Sequence, residues 1–169
     1  MNRNFAIAAI SALSLLAVAC NRGDQDGDKG GTPAATAAAP VSEAEAAKAA
    51  DDMVGAWQSQ DAARIKALYS SDVVAFDFVS PALTTDRAAF DKNQDVFAAS
   101  KIDKITQVER KIQIPDADDF IVSGAWDDHS TIQANNGRFR CTDVFHKQAD
   151  GKWLIINEHC SAEPKAPAA

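Results

Sequence analysis

The sequence predicts an α+β domain in which N-terminal helices pack on an antiparallel sheet, in the order ααβαββββ. Two observations carry that expectation. Between residues 42 and 100 apolar side chains recur at helical spacing behind capping residues, and from 102 onward they alternate in twos between turn-forming segments. Helices that precede a meander must gather on one side of it, because a helix stripe and a sheet face each need an apolar partner.

Ser42 with Glu45 forms a capping-box pattern, flanked by Val41 and Ala46 as a hydrophobic staple. The helix behind it carries Ala46, Ala50, Met53, Val54 and Trp57 on one face. Asp61 is placed to cap a short second helix with Ile65, Leu68 and Tyr69 inward. Val73 to Val79 is β-branched and aromatic and reads as a strand, and Asp86 opens a third helix through Phe90 and Phe97 to about Ser100. Strands follow at about 102–114, 119–133, 138–148 and 152–162, separated by Pro115-Asp116-Ala117-Asp118, Asn135-Asn136-Gly137 and Asp150-Gly151.

The last hairpin holds most of the chemistry. Side chains alternate across a strand, so one face takes Phe139, Cys141, Asp143 and Phe145 with Leu154, Ile156, Glu158 and Cys160. The other takes Arg140, Thr142, Val144 and His146 with Trp153, Ile155, Asn157, His159 and Ser161. The first face is the more apolar yet carries two carboxylates, the make-up of a ligand pocket for an unspecified small molecule. Trp153, Ile155, Val144 and His159 would form an exposed mixed patch on the second face, better explained by a partner than by solvent.

The N-terminus bears on location. Arg3 precedes an apolar run from Phe5 to Ala19, at about 15 residues too short to span a bilayer and suited to a secretory signal. Leu16-Ala17-Val18-Ala19-Cys20 resembles the bacterial lipoprotein signal, in which the cysteine is lipidated. That resemblance implies a signal peptide over 1–19, membrane attachment through Cys20 and, with Asn21 following, the outer membrane facing the periplasm. Residues 20–41 then form the lipidated cysteine and a flexible Gly-, Pro-, Ala- and Asp-rich linker, 42–163 the folded domain, and 164–169 a disordered tail.

Removing Cys20 leaves Cys141 and Cys160, an even pair in an oxidising compartment. A two- or four-residue loop centred on Asp150-Gly151 would set them directly opposite each other, ready for a disulfide. A three-residue loop would shift the register by one and lose the match. The alternative is two reduced thiols packed as small hydrophobes.

The chain has a formal charge of −7 and no basic stripe, so nucleic acid is not an expected partner. His129, His146 and His159 share a face if Asn136-Gly137 makes a two-residue turn. None has the short paired spacing of a zinc motif, so no metal site is expected, and no cofactor.

The element order, with TDVFHKQADGKWLIINEHCS near the end, resembles the nuclear transport factor 2-like superfamily, SnoaL-like domains in particular. Over that segment the chain is also similar to the association domain of calcium/calmodulin-dependent kinase. The resemblance covers most of residues 43 to 162 and implies a strongly curved sheet wrapped around the helices into a cone-shaped α+β barrel with a hollow mouth, and a homodimer through the outer sheet face, by which relatives commonly pair. Comparison with ketosteroid isomerase places that family's catalytic base on Asp77, at the end of Leu68-Tyr69-Ser70-Ser71-Asp72-Val73-Val74-Ala75-Phe76-Asp77. It places the oxyanion-hole acid on Asp143 and the oxyanion-hole tyrosine on Met53, which has no hydroxyl to give.

Two functions follow. One is a lipid-anchored, dimeric envelope protein binding a small ligand or envelope partner without catalysis, its pocket lined by Met53, Trp57, Asp77, Trp126, Asp143, Phe145, Ile156 and Glu158. The alternative is a small isomerase or dehydratase with Asp77 as general base and Asp143 as acid.

Overall fold

The computed structural model describes residues 40–80 and 82–163; the expected signal peptide, Cys20, nearly all of the linker and the tail lie outside them. Helix α1 (Glu43–Ser59) starts on the full capping box: Ser42 Oγ accepts from Glu45 N at 3.2 Å and Ser42 N donates to Glu45 Oε2 at 2.9 Å. Val41 and Ala46 are both buried at its foot. Gln60 ends α1 in the left-handed region at φ 52°, and its Oε1 accepts from Ser100 Oγ and Ile102 N, tying the helix to the sheet. Helix α2 (Ala62–Lys66) is capped by Asp61, whose Oδ1 accepts from Ala63 N and Arg64 N.

Strand β1 (Tyr69–Phe76) begins four residues earlier than the sequence predicts, so Tyr69 is a strand residue and not part of the second helix. Arg87, first residue of α3 (Arg87–Ala98), explains the early start. Its guanidinium donates to the carbonyls of Lys66, Tyr69 and Ser70 at 2.7 to 2.9 Å, fixing the chain where α2 turns into β1.

Strands β2 (Ile102–Gln113), β3 (Asp119–Ser130), β4 (Gly137–Lys147) and β5 (Trp153–Ala162) form the meander. A short 3-10 turn (Gln133–Asn135) joins β3 to β4 in place of a two-residue hairpin. The sheet order is β1-β5-β4-β3-β2, and β1 pairs with β5 in parallel. The sheet is therefore mixed where an antiparallel one is expected; the long crossover through α3 and the meander frees β1 to run alongside β5. With β1 and β2 as edges the sheet curves but does not close into a barrel. Bulges at Val108 and Ile156 help it bend around the helices, over a core that includes Trp57, Phe90, Phe120, Trp126 and Phe145.

The final hairpin corrects one expectation while fulfilling another. Its loop has three residues: Gln148 N donates to Lys152 O at 2.7 Å, Gly151 N to Gln148 O at 2.8 Å, and Gly151 takes φ 85°. Alone, such a loop would misalign the cysteines. The extra residue Ile156, in the bulge opposite Val144–Phe145, restores the pairing, so Cys141 faces Cys160 and the two are joined in a disulfide. The bulge also exchanges the faces of the strand on its loop side. Ile155 is fully buried and Trp153 packs edge-on against Phe120 at 4.9 Å, whereas Leu154 and Ile156 are only half-buried. The expected outer patch of Trp153 and Ile155 is thus not present.

Candidate functional site: a buried acid pair behind an aromatic groove

Asp143 and Glu158 lie directly opposite each other on β4 and β5, both buried, Asp143 completely. Neither oxygen of Asp143 finds an N–H or O–H donor, which is costly for a buried carboxylate. Burial, and then the charge of Glu158, push the Asp143 carboxyl well above the usual range, so it keeps its proton beside Glu158. Glu158 is pushed up to about 7, chiefly by burial and further by the charge of Asp77, against donors that favour its ionised form. The foremost of those is Tyr69, whose hydroxyl donates to Glu158 Oε2 at 2.5 Å and in turn receives a long 3.4 Å contact from Trp57 Nε1. Burial, and next the charge of Glu158, hold the Tyr69 hydroxyl well above its ordinary value, so it too stays a donor. When Glu158 ionises, its charge sits between the protonated Asp143 carboxyl and the Tyr69 hydroxyl.

Asp77, just past β1, is buried and fully engaged. Its Oδ1 accepts from Val79 N at 2.9 Å and Ser80 N at 2.7 Å, and its Oδ2 from Asn93 Nδ2 of α3 at 2.9 Å. Three donors make it the residue that holds the 78–80 loop against α3; acting as a base would require displacing one of them.

The space beside these groups is small. A cavity of about 20 Å³, room for one water, is lined by Trp57, Tyr69, Asp77, Gln94, Glu158 and the disulfide, among others. Phe78, Val79, Phe97 and Phe139 close it, and the same four side chains line a groove of about 790 Å³ outside. Phe78 packs at 5.6 Å on both Phe97 and Phe139 and stands between the two spaces.

Of the residues expected to line a pocket, Trp57, Asp77 and Glu158 border the inner cavity, and Asp143 sits behind Glu158. Met53, Trp126 and Phe145 are buried in the core: Trp126 stacks on Phe139 at 5.7 Å and Phe145 on Phe120 at 4.4 Å. Ile156 is displaced by the bulge, and Ile155 takes the inward position expected of it. Tyr69, Phe78 and Asn93 were not foreseen. Alternation from Asp77 holds back through Ala75 and Val73 but breaks at the exposed Ser71, and an irregularity between Tyr69 and Val74 turns Tyr69 inward, so no local pattern marks it.

A metal finds little here. Asp143, Glu158 and Cys160 bring candidate ligand atoms within 4.8 Å of one another, but the Cys160 sulfur is bonded to Cys141 and offers no thiolate. The histidines are dispersed: His129 pairs with Asp103 and His146 with Asp119, at opposite ends of β3.

Helices cradled by a curved mixed five-stranded sheet match the nuclear transport factor 2-like architecture. The chain belongs to the SnoaL-like domain family, whose sequence profile matches residues 47–164. It is similar to a Xanthomonas campestris protein provisionally described as a calcium/calmodulin-dependent protein kinase II association domain, at 29% identity and TM-score 0.65 over 77% of this chain and 95% of that one. It shares the fold of a nuclear transport factor 2-like protein of unknown function from Pseudomonas putida, at 21% identity and TM-score 0.60 over 72% and 86% of the two chains. It also shares the fold of a Shewanella frigidimarina protein provisionally described as a ketosteroid isomerase, at 20% identity and TM-score 0.58 over 69% and 94%. No curated protein matches the chain.

Proposed function

We propose that this domain is a binding module that seats a small, largely apolar molecule in the groove bordered by Phe78, Phe97 and Phe139, without turning it over. The observation that carries the reading is the contrast in space: about 790 Å³ in the groove against about 20 Å³ beside the acids. The larger volume suits a small-molecule pocket, and its walls are mostly apolar. The test is a thermal-shift screen of small aromatic and aliphatic metabolites against wild type and Phe97→Arg. Ligands that stabilise the wild type and not the variant support the reading. A screen in which none does so would end it.

The Tyr69–Glu158–Asp143 network favours a second reading, an isomerase or dehydratase in which Asp143 donates a proton and Asp77 accepts one once Phe78 swings aside. The fold shared with the Shewanella frigidimarina protein is consistent with it. Asp77→Asn separates the readings: a binding module keeps ligand affinity, and an enzyme keeps binding but loses turnover.

We further propose that the protein is tethered to the cell envelope through a lipid on Cys20, on the strength of the Leu16–Cys20 sequence. Incorporation of an alkynyl fatty acid that is lost in Cys20→Ser tests it. Dimerisation through the outer sheet remains part of this proposal, now resting on Phe76, which is exposed and lies 5.6 Å from His159. Light scattering at micromolar concentration decides it.

A further inference from the structure

Reading the groove as a ligand site leads to the class of ligand. Its lining includes three charged residues, Asp128, Arg138 and Glu163. Arg138 is already committed: Nε and Nη2 donate to the two carboxylate oxygens of Asp127 at 2.7 and 3.0 Å, and Glu163 lies 3.8 Å away. What remains is acidic. Asp128 borders the groove, and its buried Oδ1 has no donor among the described residues. Facing it are Phe78, Phe97, Phe139 and Ile102, an apolar wall with aromatic surfaces.

We propose that the groove binds a small amphiphile bearing a protonated amine, its head donating to Asp128 and its apolar body lying against Phe78, Phe97 and Phe139. An ammonium supplies the missing donors and the missing positive charge together, and aromatic faces also favour a cation. An anionic head would meet Asp128 and Glu163 with no uncommitted cation among the lining residues.

The site is also poised to respond to pH. Burial, and then the charge of Asp127, push Asp128 up to about 7, so a cation must displace a proton to bind at the acidic end of the physiological range. Its own strand supplies Asp127, and the groove lining supplies Arg138 on β4 and Glu163 after β5, while β2 sets the uncharged Ile105 opposite it with Lys104 one place along. Helix α3, the turn after it and the 3-10 segment line the groove with uncharged residues.

Titration calorimetry of the protein with 4-phenylbutylamine, 4-phenylbutan-1-ol and 4-phenylbutanoate tests the inference, at about pH 6 and about pH 8 on either side of Asp128's transition. The amine should bind roughly tenfold or more tightly than the alcohol at the higher pH, the increment of a charge-assisted hydrogen bond. That advantage should shrink at the lower pH, with the carboxylate weakest throughout. Asp128→Asn should bring the amine to within about twofold of the wild type's alcohol affinity. Should that variant not fold, the pH dependence of the wild type decides. If the alcohol binds as well as the amine at both pH values, the amine head is wrong while the groove reading stands. If none of the three binds, both are wrong.

Discussion

The hydroxyl of Tyr69 donates to Glu158 Oε2 at 2.5 Å, joining the first residue of β1 to the acid pair of the last hairpin across the parallel seam of the sheet. The oxyanion-hole tyrosine of the resembled family falls on Met53, which has no hydroxyl, yet a phenol reaches the acid pair from another element, β1. Tyr69→Phe should destabilise the protein by about 1–3 kcal/mol at neutral pH, the cost of leaving a buried carboxylate short of a donor. The loss should be smaller at about pH 5, where Glu158 is protonated. Urea denaturation at the two pH values measures both.

Stability should fall as pH rises through neutrality. Asp143, Glu158 and Asp128 all have raised folded-state values, the last two to about 7 from 4.5 and 3.8. The native state therefore holds protons that the unfolded chain has released, and their stabilising contribution, complete below about pH 4, is lost through about pH 7 and beyond. Asp143→Asn still offers Glu158 a donor but does not titrate, so its melting temperature should decline less steeply between about pH 5 and about pH 8. Asp127, held low by Arg138, acts in the opposite direction at the acidic end, outside that window.

Reducing the Cys141–Cys160 disulfide, or replacing both cysteines with serine, should cost about 3 kcal/mol in the chain-entropy view, given a sequence separation of 19. Alkylation of the denatured protein without reductant should label neither residue.

Gly124→Ala should disturb Trp126. A Cβ at that position would lie 2.6 Å from Trp126 Cη2 and 2.7 Å from the Glu109 carbonyl oxygen, so ring or backbone must shift. Overpacking of this kind costs about 1–3 kcal/mol. A changed near-ultraviolet circular dichroism spectrum would accompany the loss.

Asp77→Ala should release the 78–80 loop from α3, since it removes the acceptor for Val79 N, Ser80 N and Asn93 Nδ2 together. Hydrogen exchange at the Val79 and Ser80 amides should accelerate while that in β4 stays slow.

The helices were legible because their signals are local. Ser42, Asp61 and Asp86 cap the helices they are expected to cap. The opposition of Asp143 to Glu158 was legible because strand alternation carries a face along a hairpin. What lay hidden depends on irregularity or distance. A bulge shifts the register without altering composition, so Ile156 and Ile155 exchanged roles and Trp153 turned inward. The Arg87 contacts that begin β1 early reach 17 to 21 residues back along the chain, beyond any local pattern. The acids of the groove escaped notice for a similar reason: Asp128 looks like its neighbour Asp127 until the fold places one against Arg138 and leaves the other unanswered.

The bulge at Ile156 has one more effect. Because the residue that resets alignment is embedded within β5, the length of the tip from Lys147 to Trp153 and the bulge together set the alignment of the disulfide and the acids below it. Relatives could exchange that tip for loops of another length, provided the inserted strand residue compensates, and the proton-sharing centre would stay where it is.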